Sequence, residues 1–330
     1  MRFLVIGCGS IGERHIMNLS SILSDARIDV CDSQPERLKA ISEKYSVNTV
    51  NHKALDSIKY DCVLICTPPL SHIDLAIRAL NTGSNVFIEK PLSQSSDGTE
   101  LLRNLIQSKR LLAFVAYNLR FNRGISVIKE MIDNRRFGRI VHASAYFGQY
   151  LPDWRPWQDY KKSYTARKEL GGGIIQDGSH ELDYMKWLFG IPIDVQSQFT
   201  VTNILEVDSE AIADILLRFD KDILGHIHLD FVRREYRRTL ELLTENGLIQ
   251  WSLSDSSIKT FDASSRSWST IKLEETVNDM YKEEIKHLIK CIETQDKSDI
   301  IDLENGISTL SLSEAVYNSG LSGRRISFTF

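Results

Sequence analysis

The chain has 330 residues, of which 42% are hydrophobic and 25% are charged, so it can bury a full core and form more than one domain. Its formal net charge of −4 lacks the basic excess that binding to nucleic-acid phosphates requires, so we expect no nucleic-acid partner. No run reaches the roughly 18 to 20 apolar residues of a membrane span, and the apolar opening Phe3-Leu4-Val5-Ile6 leads into glycines, which predicts a strand and not a signal peptide.

Short β-branched runs alternate with helical periods through the first third of the chain, a pattern typical of βαβ units that form a parallel sheet. The predicted strands are Arg2–Cys8, Arg27–Cys31, Asp61–Cys66, Asn85–Ile88 and Leu112–Ala116. The predicted helices are Ile11–Leu23, Pro35–Tyr45, Ser71–Leu80 and Gly98–Ser108. We therefore predict an α/β fold class in which residues 1–118 form a doubly wound Rossmann domain.

The character of the sequence changes after Asn118. An alternating strand is predicted at Arg139–Phe147. Within residues 194–271, strand-like runs then follow one another with short turns and no intervening helices, which predicts a largely antiparallel sheet. These runs are Ala211–Phe219, Leu224–Phe231 and Thr239–Thr244. The predicted helices are Gly124–Asp133, Ile174–Phe189, Asp279–Thr294 and Asp302–Ser319. Residues 119–330 are thus predicted to form a second, α+β domain.

The cysteines indicate a reducing environment. Five are present, an odd number, and four of them lie in or at the ends of predicted strands, where thiols pack as apolar groups. Their spacing favours buried packing over metal ligation, so we expect no metal site. We expect reduced thiols and a cytoplasmic location. The five residues are Cys8, Cys31, Cys62, Cys66 and Cys291.

A glycine-rich loop marks the first predicted strand-to-helix turn. Its sequence is Gly7-Cys8-Gly9-Ser10-Ile11-Gly12. The first glycine permits a tight turn, the second lets the backbone approach a pyrophosphate, and the third lets helix and strand pack closely. Free N–H groups at the helix N-terminus would bind phosphate oxygens. We assign dinucleotide binding to Gly7, Gly9, Ser10, Ile11 and Gly12.

Two further segments extend this predicted cofactor site. Asp32 ends the second predicted strand, where its carboxylate would accept hydrogen bonds from ribose hydroxyls and repel a 2′-phosphate, which favours NAD over NADP. The alternative for Asp32 is a turn residue or a helix N-cap. Thr67 and Pro68 follow the next strand and are either ribose or nicotinamide neighbours or parts of a stiffened loop.

The segment Glu89-Lys90-Pro91 follows the fourth predicted strand, Asn85–Ile88, and contains a lysine. Desolvation at a sheet edge can lower the pKa of a lysine, which then exchanges a proton with a substrate hydroxyl. An ordinary surface lysine before a turn is the alternative. Taken by itself, the segment favours the ordinary surface lysine.

The order of motifs resembles the glucose–fructose oxidoreductase, inositol dehydrogenase and MocA (Gfo/Idh/MocA) family. The matching pieces are the glycine loop with His15, Thr67-Pro68 through His72, Glu89-Lys90-Pro91, Tyr117-Asn118-Leu119-Arg120-Phe121, and Gly171-Gly172-Gly173 through Gly190. The resemblance implies an NAD-dependent oxidoreductase with Lys90 and His180 as catalytic residues and a cis peptide bond before Pro91. Glu89 and Asn118, which lie in matching pieces, are taken as further cofactor-binding residues.

The resemblance also implies a mechanism in which Lys90 and His180 hold the substrate hydroxyl. We favour His180 as base and Lys90 as the group that stabilises the alkoxide, with reversed roles or a coupled pair left open. The family spacing is Asp-x-Gly-x-His, and here Asp177-Gly178-Ser179-His180 is one residue shorter. Asp177 is included as a catalytic residue if it shares a helix face with His180; otherwise it has rotated out of the site.

Three functions are compatible with these residues. The first is a dehydrogenase acting on a sugar, a cyclitol or a nucleotide-linked sugar. The second is a glycosidase or epimerase-like enzyme that oxidises its substrate transiently and keeps its NAD. The third is a regulator that senses the dinucleotide without catalysis, against which the presence of both Lys90 and His180 argues.

An aromatic and basic loop, residues 149–167, precedes the glycine triplet. Aromatic faces stack on sugar rings, and cations bind carboxylates or diphosphates, so we assign Arg155, Trp157 and Tyr164 to substrate binding. The alternative is that the aromatic residues pin the loop to its domain. The loop composition favours an anionic sugar, with Arg155 contacting its negative group.

The strand that carries His226 and His228 has both histidines on one face, because side chains alternate along a strand. An interface between subunits is favoured there over a metal site. The resemblance, together with apolar alternation on strands that would otherwise expose a face, predicts a homodimer or homotetramer and makes residues 119–330 the substrate-binding and oligomerisation domain.

Overall fold

The computed structural model describes residues 1–298 and 300–330, which form two compact units with one sheet each. The first unit contains Met1–Asn118 and Val277–Leu310. The second contains Leu119–Thr276 and Ser311–Phe330.

The sheet of the first unit has six parallel strands in the order β3-β2-β1-β4-β5-β6. Strands β1, β4 and β5 lie inside the sheet and are buried on both faces, which explains their continuous apolar sequences. The predicted Rossmann sheet is confirmed. The strands are β1 (Arg2–Ile6), β2 (Arg27–Cys31), β3 (Asn48–Thr49), β4 (Cys62–Ile65), β5 (Asn85–Glu89) and β6 (Ala113–Ala116).

Helices alternate with these strands, as the apolar periods predict. The second helix begins at Pro35, whose missing N–H costs nothing in a first helical turn. The third helix and the strand before it are short and were not predicted. The helices are α1 (Ser10–Ile22), α2 (Pro35–Tyr45), α3 (Ala54–Ser57), α4 (His72–Asn81) and α5 (Thr99–Lys109).

The sheet of the second unit has nine strands in the order β14-β13-β12-β11-β7-β10-β9-β8-β15. All neighbouring strands are antiparallel except β7 and β10, which run parallel, so the predicted largely antiparallel sheet is confirmed. The strands are β7 (Ile140–Gly148), β8 (Asp194–Thr200), β9 (Ile212–Arg218), β10 (Leu224–Asp230), β11 (Arg237–Thr244), β12 (Gly247–Ser252), β13 (Ser257–Asp262), β14 (Ser267–Lys272) and β15 (Ile326–Ser327).

The predicted helix Ile174–Phe189 is wrong in one respect, because the structure contains two helices there. Gly178 separates them with a backbone ψ of 13°, and it packs so closely that a Cβ would lie 2.7 Å from the Leu229 side chain. The helices of this part of the chain are α6 (Arg123–Asp133), α7 (Leu151–Trp154), α8 (Ile174–Asp177) and α9 (Ser179–Phe189).

The last two helices, α10 (Val277–Thr294) and α11 (Leu303–Ser322), explain why the units differ from the predicted division into residues 1–118 and 119–330. Helix α10 packs on α1 of the first unit. The Arg14 guanidinium lies 4.5 Å from the Tyr281 ring, and Asn278 donates a 2.9 Å hydrogen bond to Asn18. Residues Val277–Leu310 therefore group with the Rossmann sheet. Among the described residues, no helix is long and apolar enough to cross a membrane.

Candidate active site

The carboxyl edge of the first sheet collects the candidate cofactor and proton-transfer residues of that unit. Gly7 follows β1, Asp32 follows β2, Thr67 follows β4, Lys90 follows β5, and Asn118 lies shortly after β6. Because the strands are parallel, these ends meet at one edge, where ligands of open α/β sheets bind. The structure thus brings together residues that are far apart in sequence.

Each glycine of the loop between β1 and α1 has a different role. Gly7 has a φ of +91°, and a Cβ there would lie 2.6 Å from the Cys66 carbonyl oxygen. A Cβ on Gly12 would overlap the Gly7 carbonyl oxygen, so this glycine permits close packing of helix and strand. At Gly9 no described atom lies within 4 Å of the Cβ position, and φ is −67°.

The open space at Gly9 fits a bound dinucleotide. Neither backbone conformation nor packing within the protein requires glycine at this position, so the missing side chain leaves room for a ligand. The space adjoins the N-terminus of α1, where the first N–H groups have no intrahelical acceptor and bind anions well. A pyrophosphate would fit such a cradle.

Asp32 is held by the backbone around it. Its carboxylate accepts a 2.7 Å hydrogen bond from Cys8 N and a 2.8 Å bond from Gln34 N, and Arg37 lies 3.4 Å away. The turn role that was the alternative for Asp32 is therefore present. A carboxylate has about four acceptor positions, so these contacts leave room for a ribose hydroxyl. The ribose role stays a prediction.

The segment that carries Lys90 is anchored from inside the first unit. The fully buried His15 lies 2.6 Å from Glu89 Oε1, and Lys90 N donates a 3.2 Å bond to Glu89 Oε2. The Lys90–Pro91 peptide bond is cis, which confirms the prediction. Sequence reasoning included His15 in a motif without a role, and the structure shows that it anchors Glu89.

A second buried carboxyl group, Glu284 of α10, belongs to the same unit. Glu284 is fully buried. Among residues 1–298 and 300–330, neither of its carboxylate oxygens has a hydrogen-bond partner. Burial, together with the negative charge of Glu89, raises the pKa of Glu284 well above its usual value. Sequence reasoning missed it, although a glutamate four residues from both Met280 and Leu288 interrupts the apolar stripe of the predicted helix.

In the second unit, the candidate residues Asp177 and Tyr164 are in contact. The Tyr164 hydroxyl donates a 2.9 Å hydrogen bond to Asp177 Oδ1. Burial and the Asp177 charge raise the pKa of Tyr164 well above its usual value. Asp177 ends α8, and the buried His180 is the second residue of α9, so the shortened spacing coincides with the helix break at Gly178.

Glu210 lies beside this pair and was not predicted. Burial, with Asp177 nearby, raises the pKa of Glu210 to about 7. A Cβ on Gly173 would overlap the Glu210 carboxylate, so the last glycine of the triplet makes room for this acid. Glu210 carries no motif of its own, and only its contact with the triplet reveals it.

The aromatic and basic loop is pinned to its own unit, as the alternative predicted, and its substrate-binding role stays a prediction. Trp154 pins the loop, because its ring packs on Phe147 and Phe231 and its Nε1 donates to the Gln149 carbonyl. Trp157, by contrast, is 76% exposed.

Arg155 in this loop is an exposed cation. Within the part of the chain that the structure describes, its side chain makes no hydrogen bond or ion pair. The positive charge of Arg155 partly opposes the rise that burial causes in the pKa of Tyr164.

The two histidines of β10 share an acidic partner that the sequence did not reveal. Asp214 Oδ1 lies 3.2 Å from His226 Nε2 and 2.8 Å from His228 Nδ1. Asp230 lies 3.3 Å from His228 Nε2. Across residues 1–298 and 300–330, no group of three or more His, Cys, Asp or Glu side chains is arranged to hold a metal ion. The five cysteines are buried and are not joined by disulfides.

Comparison with known families agrees with this geometry. Residues 1–117 match the model of an oxidoreductase family with an NAD-binding Rossmann fold, and residues 125–250 match the Gfo/Idh/MocA C-terminal domain. The chain belongs to the Gfo/Idh/MocA family. As a member, it is an NAD-binding oxidoreductase. The family that the order of motifs predicted is therefore confirmed.

Other Gfo/Idh/MocA proteins are similar along much or all of the chain. Myo-inositol 2-dehydrogenase of Thermotoga maritima is 28% identical over 263 residues, which is 76% of this chain and 74% of that protein. A levoglucosan dehydrogenase in complex with NADH and L-sorbose has the same fold, with a TM-score of 0.90 and 17% identity. The similarity covers 100% of this chain and 99% of that chain. The WlbA dehydrogenase of Bordetella pertussis, in complex with NADH and UDP-GlcNAcA, has a TM-score of 0.84, 22% identity and the same coverage.

Proposed function

We propose that this Gfo/Idh/MocA protein is a dehydrogenase that interconverts a hydroxyl and a keto group on a sugar, a cyclitol or a nucleotide-linked sugar. The observation that carries this proposal is the position of Lys90, which follows β5 at the sheet edge where the glycine loop follows β1. Bound NAD would accept or supply the hydride. Relatives named inositol and levoglucosan dehydrogenases support the substrate class.

Lys90 and His180 are proposed as the proton-transfer pair. His180 removes the proton of the substrate hydroxyl, and the Lys90 ammonium stabilises the alkoxide that develops. Asp177, which accepts the hydrogen bond from Tyr164, supports the pair from α8. The pH profiles of kcat for Lys90→Ala and His180→Ala would distinguish this assignment from the reverse one, in which Lys90 is the base.

Arg155, Trp157 and Tyr164 are proposed to bind the substrate. An exposed arginine without an ion pair among the described residues suits a carboxylate or diphosphate, and the exposed Trp157 offers a flat face for a ring. An anionic sugar therefore fits better than a neutral one. The complex of WlbA with UDP-GlcNAcA gives an example of such a ligand on this fold. We also propose a cytoplasmic location, which suits cysteines that form no disulfide, and a homodimer or homotetramer.

The experiment is a panel of cyclitols, neutral sugars, uronic acids and nucleotide sugars, with NADH absorbance and product measured together. We expect one NADH for each product formed. Turnover without net release of NADH would instead establish the transient-oxidation mechanism. Tight NADH binding with no turnover on any substrate would favour a dinucleotide-sensing regulator.

A further inference from the structure

His72 lies fully buried between two loops of the first unit. It is the first residue of α4. Its Nε2 atom lies 2.7 Å from the Thr67 carbonyl oxygen, and its Nδ1 atom lies 3.0 Å from the Pro91 carbonyl oxygen. One side chain therefore contacts the backbone of two segments, one before α4 and the other after β5.

The two loops leave neighbouring strands of the parallel sheet. Ile65 at the end of β4 pairs with Ile88 near the end of β5. The first loop contains Thr67, whose side chain lies 2.7 Å from Ser71 Oγ, and this serine in turn donates to the Pro68 carbonyl. The second loop carries Lys90. The first loop is thus closed on itself, and His72 joins it to the second.

The chemistry of these contacts defines what the ring does. Carbonyl oxygens only accept, so each contact needs an N–H from the imidazole. A neutral ring supplies one N–H and a charged ring supplies two. Burial lowers the pKa of His72, and the two carbonyl contacts and the Glu89 carboxylate oppose that fall. In either charge state the ring lies between the loops, and at least one of them is held by a hydrogen bond.

We propose that His72 is a positioning residue that holds the Lys90 loop against the Thr67 loop and thereby sets the position of Lys90 relative to bound dinucleotide. The inference rests on the proposed function, which gives Lys90 to the chemistry, and it takes the predicted cofactor role of Thr67 over the alternative of a stiffened loop. It assigns no catalytic step to His72 itself.

Two conservative substitutions separate the two contacts. The amide nitrogen of asparagine takes the place of Nδ1, so His72→Asn can keep the bond to Pro91 and loses the bond to Thr67. The amide nitrogen of glutamine takes the place of Nε2, so His72→Gln does the reverse. His72→Phe keeps the ring volume and loses both bonds. His52→Asn, at an exposed histidine of the same unit, is the control.

Two readouts follow these contacts without turnover. The affinity for NADH, measured by fluorescence, reports on the Thr67 loop. Competitive labelling of the cofactor-free protein with acetic anhydride measures the reactivity of Lys90. We expect His72→Asn to weaken NADH binding about three- to tenfold with Lys90 reactivity near normal, and His72→Gln to change Lys90 reactivity by a similar factor with NADH binding near normal.

The proposal fails if both variants change both readouts equally, or if they lower only the melting temperature. Should the variants not fold, spectra of the unmodified protein labelled with ¹⁵N-histidine still test it. A hydrogen-bonded ring N–H that exchanges slowly with water is expected for His72, and a rapidly exchanging one would overturn the proposal. Normal turnover of Lys90→Ala would instead remove Lys90 from the proposed function. The two readouts in the His72 variants, which retain Lys90, do not depend on that result.

Discussion

Lys90 and His180 are the residues on which the proposed chemistry depends. We expect Lys90→Ala and His180→Ala each to lower kcat by about 10² to 10⁴, because a positioned acid or base contributes a factor of that order. Binding of NADH should stay nearly unchanged, since the glycine loop is intact in both variants. Steady-state kinetics and NADH titration measure the two quantities. A variant with near-normal turnover would show that its residue takes no part in proton transfer.

Arg155 is expected to select the charge of the substrate. Arg155→Ala should raise KM about tenfold or more for an anionic substrate, because a charge-assisted hydrogen bond is lost. Lys162, another exposed cation of the same loop, provides the control variant Lys162→Ala. Kinetics with a uronic acid and its neutral analogue make the test. Equal losses for both substrates would assign Arg155 to the architecture of the loop.

At the scale of an element, the loop between β1 and α1 separates a glycine that serves the ligand from one that serves the fold. Gly9→Ala should leave the free energy of unfolding nearly unchanged, because no described atom lies near the added methyl. It should weaken NADH binding about tenfold or more, because the methyl fills the space for the pyrophosphate. Gly12→Ala should destabilise the protein by about 1–3 kcal/mol through overpacking. Urea unfolding and NADH titration of both variants distinguish these effects.

The buried Glu284 of α10 is expected to make the free energy of unfolding depend on pH. Because burial raises the pKa of this acid, the folded protein holds a proton that the unfolded chain releases near pH 4.5. Stability is therefore lost as pH rises above that value. Glu284→Gln removes the titrating group, so its free energy of unfolding should exceed that of the unmodified protein at pH 8, by a margin that shrinks towards pH 4.

The control for Glu284 is its neighbour Glu283, whose side chain is 55% exposed and pairs with Lys286. Glu283→Gln should change stability little at any pH, since exposed ion pairs contribute about 0–1 kcal/mol. Urea unfolding at several pH values compares the two variants. A gain for Glu284→Gln that does not depend on pH would contradict the titration of Glu284.

At the scale of the whole molecule, we predict a homodimer or homotetramer. Leu216 of β9 and Leu224 of β10 are each 55% exposed on their sheet, and apolar side chains in such positions favour a protein partner. Leu216→Glu should shift the assembly towards monomer, whereas Leu101→Glu, at an exposed leucine of α5, should not. Sedimentation velocity at micromolar concentration measures both. A monomer in the unmodified protein would contradict the prediction.

Local sequence determined the elements and the cofactor loop of this protein. Strand β2 and helix α2 have the predicted bounds, because apolar periodicity and Pro35 act within a few residues. The glycine loop was likewise readable, since Gly7 and Gly12 meet steric requirements of the strand-to-helix turn and Gly9 leaves space for a ligand. Parallel strands then placed Asp32 and Lys90 at the same edge as that loop.

Tertiary structure alone decided which distant residues support the site. The contact of Asn18 with Asn278 spans 260 positions, and it accompanies the return of α10 to the first unit. His15 on Glu89, His72 between two carbonyls, and Glu210 against the glycine triplet are likewise long-range contacts. A local pattern cannot encode them, because burial and hydrogen bonding of these polar groups depend on how the completed sheets and helices pack.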